Sequence, residues 1–339
     1  MNDTVSTPFP ALRYNRGLHW MAIFTTAWTF LVVVVGGTVK SNEAGLSIPE
    51  PFIITIVKDW SEGNRIYEFV HRALVGVLGI SVALLVIWIW MAETRRSVKK
   101  FSLLLIVSVL LQAVVGWMTV RFLAHAQTSI PHAALGQSFL AMMAGITTVL
   151  SARWMSSTPA INEQATPSLR RLALYNVIAV FVQMLLGAAL RHDDHGKAFF
   201  AGREWVFHLH LGAHVLGAIA VGYFMARVLF RVFHGHRQTP EIIKPARWIM
   251  MLFTLQLLLG IAAAVLKIFT LKDPDLAEFY ADVPPPARVW TATAHVVVGA
   301  AILAISTLIL VRSYRYALPK AVAAKNDSRE AAVGTGVSV

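Results

Sequence analysis

The sequence predicts an all-α membrane protein with eight transmembrane helices arranged as two pseudo-symmetric four-helix halves. Its 339 residues are 56% apolar and only 14% charged, which is more apolar than an ordinary soluble domain. A run of about 20 apolar residues is long enough to cross a bilayer. Eight such runs, numbered here 1 to 8, lie at 18–39, 68–91, 101–123, 132–154, 170–190, 206–230, 246–268 and 288–312.

The charges between the runs predict the orientation of the chain. With their flanking helix ends, five connections hold 19 Lys and Arg against 6 Asp and Glu; they are 1–17, 92–100, 155–169, 231–245 and 313–339. The remaining connections hold 11 against 12. Because cytoplasmic loops are enriched in Lys and Arg, both termini are predicted to lie in the cytoplasm.

The net charge of +12 does not indicate nucleic-acid binding, because the cations lie between apolar runs and not in a stripe interleaved with aromatic residues. The lipid bilayer is the predicted partner of these surfaces. Cys is absent, which excludes disulfides, thiolate metal sites and a cysteine nucleophile.

Short patterns recur between the two halves of the chain. A Gln-x-x-x-Gly pattern begins at Gln112, Gln183 and Gln256, in runs 3, 5 and 7, whereas run 1 has Val32 at the position of the Gln. Runs 4 and 8 share a His-x-x-x-Gly pattern. Each half has an even number of runs, so the repeat is predicted to be parallel. Close helix packing is the simplest explanation of the glycines.

The repeat divides the chain into two predicted membrane domains, 18–154 and 170–312. A cytoplasmic lead (1–17) precedes them and a cytoplasmic linker (155–169) joins them. The tail, 313–339, is small and polar and is predicted to be disordered.

Four histidines provide the strongest functional signal. His71, His132, His214 and His295 lie near the outer ends of runs 2, 4, 6 and 8, at one level of the membrane. Polar groups in hydrocarbon are costly and usually functional. Two pairs of imidazoles at one depth suit the binding of two haems. In run 6, His210 shares a helical face with His214, so that either residue is a candidate ligand.

Two charged residues accompany the first histidine. Glu68 lies three residues before His71 and on the same helical face, where a carboxylate is able to act as a partner of the ligand or as a general acid/base. Arg72 is a candidate contact for haem propionates, since guanidinium groups suit carboxylates. A loop cluster, residues 192–195, has two His and two Asp but lacks the spacing of a known metal motif.

These motifs resemble those of the haem A synthase family. Glu68-x-x-His71-Arg72 is similar to the family's first signature, and residues 37–49 resemble its first outer-loop signature. Residues 214–218 resemble its second His-Arg-x-Gly-Ala motif, which favours His214 over His210. His132 and His295 match the remaining ligand positions. The resemblance spans roughly residues 18–312.

The chain also departs from this family. Many members have a cysteine pair in the first outer loop, and this chain has no cysteine. Val215 stands where the second motif usually has Arg, and 50–52 replace the usual Trp after the loop proline.

The resemblance implies a membrane oxidoreductase that converts the C8 methyl of haem O to a formyl group, giving haem A for terminal oxidases. It implies substrate-haem ligands His71 and His132 with catalytic Glu68, and a permanent haem b on His214 and His295. It also implies a bacterial inner-membrane location. Because the chain has no flavin or nicotinamide motif, an external electron donor is expected; haem O synthase and oxidase assembly factors are further candidate partners, and homo-oligomerisation stays open.

Two other functions remain open at this stage. A di-haem electron carrier of the cytochrome b type would need no substrate chemistry, but such carriers commonly place their haems on opposite membrane sides. A transporter with a parallel repeat would be expected to have broken helices with charges near the midplane.

Overall fold

The computed structural model describes residues 14–42, 44, 45, 48, 65–122, 126–156, 161–163, 167–192, 204–272, 286–316, 318 and 319. Within these ranges the protein is almost entirely helical, as predicted. Its helices are α1 (Arg16–Ser41), α2 (Arg65–Ala92), α3 (Arg96–Arg121), α4 (Ala126–Val149), α5 (Ala152–Ser156), α6 (Leu169–His192), α7 (Glu204–Gly235), α8 (Pro240–Lys272) and α9 (Pro286–Tyr316).

Seven of the described helices are long and apolar enough to cross a membrane, namely α1, α2, α3, α6, α7, α8 and α9. The protein is therefore a multi-pass membrane protein. The predicted run 4 corresponds to α4, which has 24 residues but is not among these seven. α4 packs against α1, α3, α6 and α9, and it buries Thr128, Ser129, Gln137 and Thr148.

Most helices are longer than the apolar runs that predicted them, because the polar and charged residues that flank the runs are also helical. α1 begins at Arg16, where the Asn15 side chain accepts a 3.0 Å hydrogen bond from the Leu18 backbone N–H. Pro240 and Pro286 are the first residues of their helices, where a missing N–H costs nothing. α4 and α8 each start six residues before their predicted runs and contain a proline, Pro131 and Pro245, and α4 also ends five residues before its run does.

The helices pack as hairpins around a central group. The closest hairpin partners are α1 with α2, α3 with α4, α6 with α7, and α8 with α9. Helices α1, α4, α6 and α9 also contact one another and form the centre of the bundle. One apolar core lies among α1–α4 and another mainly among α6–α9. Between them, Leu140 of α4 packs against Ala300 and Ala304 of α9.

Polar side chains also link the central helices. The Thr26 and Thr147 hydroxyls lie 2.8 Å apart and join α1 to α4. The Asn176 amide donates a 2.9 Å hydrogen bond to Ser306 Oγ and joins α6 to α9. Such bonds satisfy polar groups that would be costly against lipid.

A short parallel strand pair, β1 (Ile161–Glu163) and β2 (Leu318–Pro319), joins the linker to the start of the tail, with Ile161 paired to Leu318. The tail was predicted to be disordered from residue 313, but its first residues are structured: α9 continues to Tyr316 and β2 follows it.

Candidate functional site

Each of the four predicted histidines packs its ring on a glycine of the preceding long helix. His71 lies on Gly36, and a Cβ built at Gly36 would be 3.0 Å from the ring Cε1 atom. The contact recurs with nearly identical geometry in the other three hairpins, as His132 on Gly116 (2.9 Å), His214 on Gly187 (3.0 Å) and His295 on Gly260 (3.0 Å). These glycines therefore provide the space that the imidazoles occupy.

The histidine rings come together in pairs. The centroids of His214 and His295 lie 6.3 Å apart, with an interplanar angle of 67°. His71 and His132 lie within electrostatic range of each other. The pairing of His214 with His295 distinguishes His214 from His210, which stands four residues earlier on α7.

The His214–His295 spacing fits a bound haem iron. Metal–imidazole bonds are about 2 Å long, so an iron between two ring nitrogens would separate the centroids by about 6 Å. In addition, the buried Nδ1 atoms of His71, His132 and His295 have no hydrogen-bond partner within the described part of the chain. Buried polar atoms are normally paired, and their lack of partners is consistent with a ligand-binding site.

Glu68 and Arg72 form a buried ion pair on α2. Glu68 Oε2 accepts a 2.9 Å hydrogen bond from the Ile48 backbone N–H, and Arg72 donates a 2.8 Å bond to the Ile48 carbonyl. Glu68 is only 3% exposed. The predicted acid/base residue and the predicted propionate contact therefore bind each other and the first outer loop.

A polar cluster joins α1, α6 and α9, the helices that carry Gly36, Gly187 and His295. The Arg191 guanidinium at the end of α6 donates to Ser41 Oγ at 2.6 Å and to the Gly37 carbonyl at 3.1 Å. Ser41 Oγ lies 2.8 Å from Thr293 Oγ1 on α9. Gly37 adjoins Gly36, and Thr293 lies two residues before His295, so the cluster lies between the two pairs.

The 192–195 loop cluster is not supported as a metal site by the described residues. Residues 193–195 lie outside them, and the described residues contain no group of three or more His, Asp or Glu arranged to hold a metal ion.

Sequence reasoning missed three features of this site. It treated the glycines as helix-packing residues, although the recurrence of Gln-x-x-x-Gly before each of three histidine helices was a signal for a ligand-supporting role. It did not anticipate the contact of Arg191 with α1, nor the contact of Glu68 with Ile48. Neither contact has a signal in the spacing of the chain.

A comparison with known protein families matches residues 19–271 to the COX15-CtaA family of cytochrome oxidase assembly proteins. The chain belongs to this family. The match includes α1 to α8 and three of the four histidines. His295 lies beyond its end.

Curated relatives of this family member are named heme A synthase. The Exiguobacterium sibiricum protein is 24% identical over 182 residues, covering 52% of this chain and 60% of the relative. The Shewanella oneidensis protein is 24% identical over 189 residues, covering 50% and 56%. The Bradyrhizobium diazoefficiens protein is 25% identical over 218 residues, covering 54% and 59%. The chain thus spans little more than half the length of these relatives.

Proposed function

We propose that this protein is a haem A synthase, an enzyme that oxidises the C8 methyl of haem O to a formyl group and so supplies haem A for terminal oxidases. Family membership and the names of its relatives support this proposal. The single observation that carries it within the structure is the opposed His214–His295 pair, whose 6.3 Å spacing suits an iron between the rings.

The proposal assigns different roles to the two halves. His71 and His132 hold the substrate haem O, and His214 and His295 hold a permanent haem b. The haem iron supplies the redox chemistry, and the protein supplies ligands, orientation and electrostatics. The assignment follows from the asymmetry between the histidine helices: Glu68 stands three residues before His71, whereas Leu211 stands three residues before His214.

Glu68 is the proposed catalytic residue of the first half. Its buried carboxylate is able to accept a proton beside the reacting macrocycle, and the adjacent Arg72 balances its charge. Arg72 is also the proposed contact of a haem propionate. Both groups bind Ile48, which therefore lies against the same side of α2.

The proposed membrane arrangement has eight spans in two pseudo-symmetric halves. It adds α4 to the seven helices that are long and apolar enough to cross a membrane. The fourfold recurrence of the His-on-Gly contact supports this repeat. The charge asymmetry of the connections supports cytoplasmic termini. We propose a bacterial inner membrane as the location, an external electron donor as a required partner, and haem O synthase and oxidase assembly factors as further partners.

The test is expression of the full chain in a host that lacks its own synthase, followed by haem extraction and chromatography. Haem A should appear with the wild-type chain, together with the reducible absorbance of haem b. His214→Ala or His295→Ala should remove the haem b absorbance while the protein still inserts, and His210→Ala is the matched control that should retain it. Bound haem b without any haem A would instead favour the di-haem electron carrier.

A further inference from the structure

Three glutamines pack against helices that carry histidines, and those histidines pack against the helices that carry the glutamines. Gln112, Gln183 and Gln256 each lie four residues before the glycine that carries a histidine ring. Their carboxamides in turn lie against a glycine of the facing helix, namely Gly136, Gly217 and Gly299. In three hairpins, therefore, a histidine fits against a glycine of the first helix and a glutamine fits against a glycine of the second.

The glutamines of the carboxy-terminal half reach the histidine rings. Gln183 Nε2 lies 3.1 Å from Nδ1 of His214 and donates a 2.9 Å bond to its main-chain carbonyl. Gln256 Nε2 lies 3.3 Å from Nε2 of His295. Both rings of the second pair therefore have a carboxamide within hydrogen-bonding distance.

The first pair is supported differently. Gln112 donates a 3.0 Å bond to the main-chain carbonyl of His132. In the first hairpin, Val32 stands four residues before Gly36, where a carboxamide would be expected, and the hairpin is joined instead by a 2.9 Å bond from the Trp28 indole to the Leu74 carbonyl. Within the described residues, the Nδ1 atoms of His71 and His132 have no partner.

All three glutamines retain an unused acceptor. Their Oε1 atoms are buried and have no hydrogen-bond partner within the described ranges. A carboxamide has donors at one end and an acceptor at the other, and a half-turn exchanges them. At Gln183 the half-turn also gives up the 2.9 Å bond to the His214 carbonyl. A histidine that binds a metal through one nitrogen carries its proton on the other and usually donates it to an acceptor.

We propose that Gln183 and Gln256 are positioning residues whose Oε1 atoms accept the ring N–H of His214 and His295 when these bind iron. The proposal rests on the function proposed above. A hydrogen-bonded imidazole is a stronger donor to the metal and is fixed in one orientation. The second half therefore holds its haem permanently, and the first half, whose rings have no carboxamide partner within the described residues, releases its haem as an exchangeable substrate.

Removal of one acceptor tests this inference. Gln256→Leu removes the carboxamide, Gln256→Glu keeps an acceptor oxygen, and Gln112→Leu is the matched control because Gln112 reaches only a main-chain carbonyl. The measurements on purified protein are the midpoint potential of haem b and its rate of transfer to excess apomyoglobin. Gln256→Leu should raise the potential and speed haem loss by about tenfold or more, the usual effect of losing such a partner.

The two other variants make the inference specific. Gln256→Glu should restore slow haem loss, and Gln112→Leu should leave the potential of haem b unchanged. If Gln256→Leu fails to accumulate, Gln183→Leu provides the same test on the other ligand. Wild-type potential and transfer rate in whichever of these two accumulates would overturn the inference, whereas wild-type protein without any haem would overturn the proposed function.

Val32→Gln provides an independent test in the opposite direction. It introduces a carboxamide on α1 at the position equivalent to those of Gln183 and Gln256. The protein should then retain more of its first-half haem during purification, measured as haem per chain. If Val32→Gln retains no more haem than wild type, and Gln256→Leu has the wild-type potential and transfer rate, the role assigned to the carboxamides is contradicted.

Discussion

Glu68 Oε2 on α2 accepts a 2.9 Å hydrogen bond from the backbone N–H of Ile48, a residue twenty positions earlier in the chain. Arg72 completes the contact by binding both Glu68 and the Ile48 carbonyl. The carboxylate that we propose as the acid/base group therefore also holds Ile48 against the helix that carries His71. The two roles predict different responses to substitution.

Glu68→Ala should lower haem A formation by roughly a hundredfold or more, because the proton-handling group is lost. Haem b of the second half should be retained, since its ligands are untouched, and haem O should accumulate in the extract. Glu68→Gln separates the two roles, because an amide oxygen still accepts from Ile48 but cannot take up a proton in the same way. Chromatography of extracted haems should show the same loss of haem A for both variants. Normal haem A formation by Glu68→Gln would instead leave Glu68 with only the structural role of binding Ile48.

Gly260→Ala should weaken haem binding in the second half. A Cβ at this position would lie 3.0 Å from Cε1 of His295, so that the ring has to move by a few tenths of an ångström. Gly79→Ala on α2 is the control, because a Cβ there meets no atom within 4 Å. The haem b absorbance per chain should fall for the first variant and stay at the wild-type level for the second. Equal haem content in Gly260→Ala and Gly79→Ala would contradict the inference that Gly260 provides the space for the His295 ring.

Arg191→Ala should destabilise the contact between α6 and α1. The substitution removes the bonds to Ser41 and Gly37, and a hydrogen bond from a charged donor contributes about 1.5–3 kcal/mol. Arg121→Ala, at the exposed end of α3, is the matched control for loss of a cation at the end of a helix. The check is the thermal midpoint in detergent, which should fall for Arg191→Ala only. Similar midpoints for both variants would argue against a stabilising link.

The ion pair of Glu93 and Arg95, between α2 and α3, predicts a dependence of stability on pH. Burial alone would raise the pKa of Glu93, but hydrogen bonds from Arg95 outweigh it and lower the pKa below its ordinary value. Stability from ionised Glu93 is therefore present above the ordinary pKa and is lost as the pH falls through the lowered one. Wild type should exceed Glu93→Gln in thermal midpoint at pH 7, and the difference should shrink toward pH 4. A constant difference across this range would contradict the prediction.

The predicted orientation is open to a direct test because the chain has no cysteine. A cysteine introduced at Asp194, in the connection between runs 5 and 6, should react with a membrane-impermeant thiol reagent in intact cells. A cysteine at Gln238, in the turn between α7 and α8, should react only after the membrane is opened. Labelling of Asp194→Cys only in opened cells would reverse the topology and move the histidines to the cytoplasmic side.

The amino-acid sequence determined the helical class, the position of most helices and the histidines of interest. Hydropathy acts along the chain, so runs of apolar residues identify spans without knowledge of their neighbours. Hydropathy also predicted run 4 as a span, but α4 is not among the seven described helices that are long and apolar enough to cross a membrane, and it buries polar residues such as Gln137. The pattern also left His210 and His214 equivalent, since both lie on one face of their helix.

Only the tertiary structure decided which side chains meet. The rotation and depth of α7 bring His214, and not His210, to within 6.3 Å of the His295 ring centroid. The same helix placement brings Arg191 to Ser41 and a loop residue, Ile48, to Glu68. These contacts depend on how closely neighbouring helices approach, and the approach depends on small residues such as Gly187 that face a partner on another helix. Local sequence fixes where a helix forms, but the rotation of one helix against another is fixed only when all of their surfaces pack together.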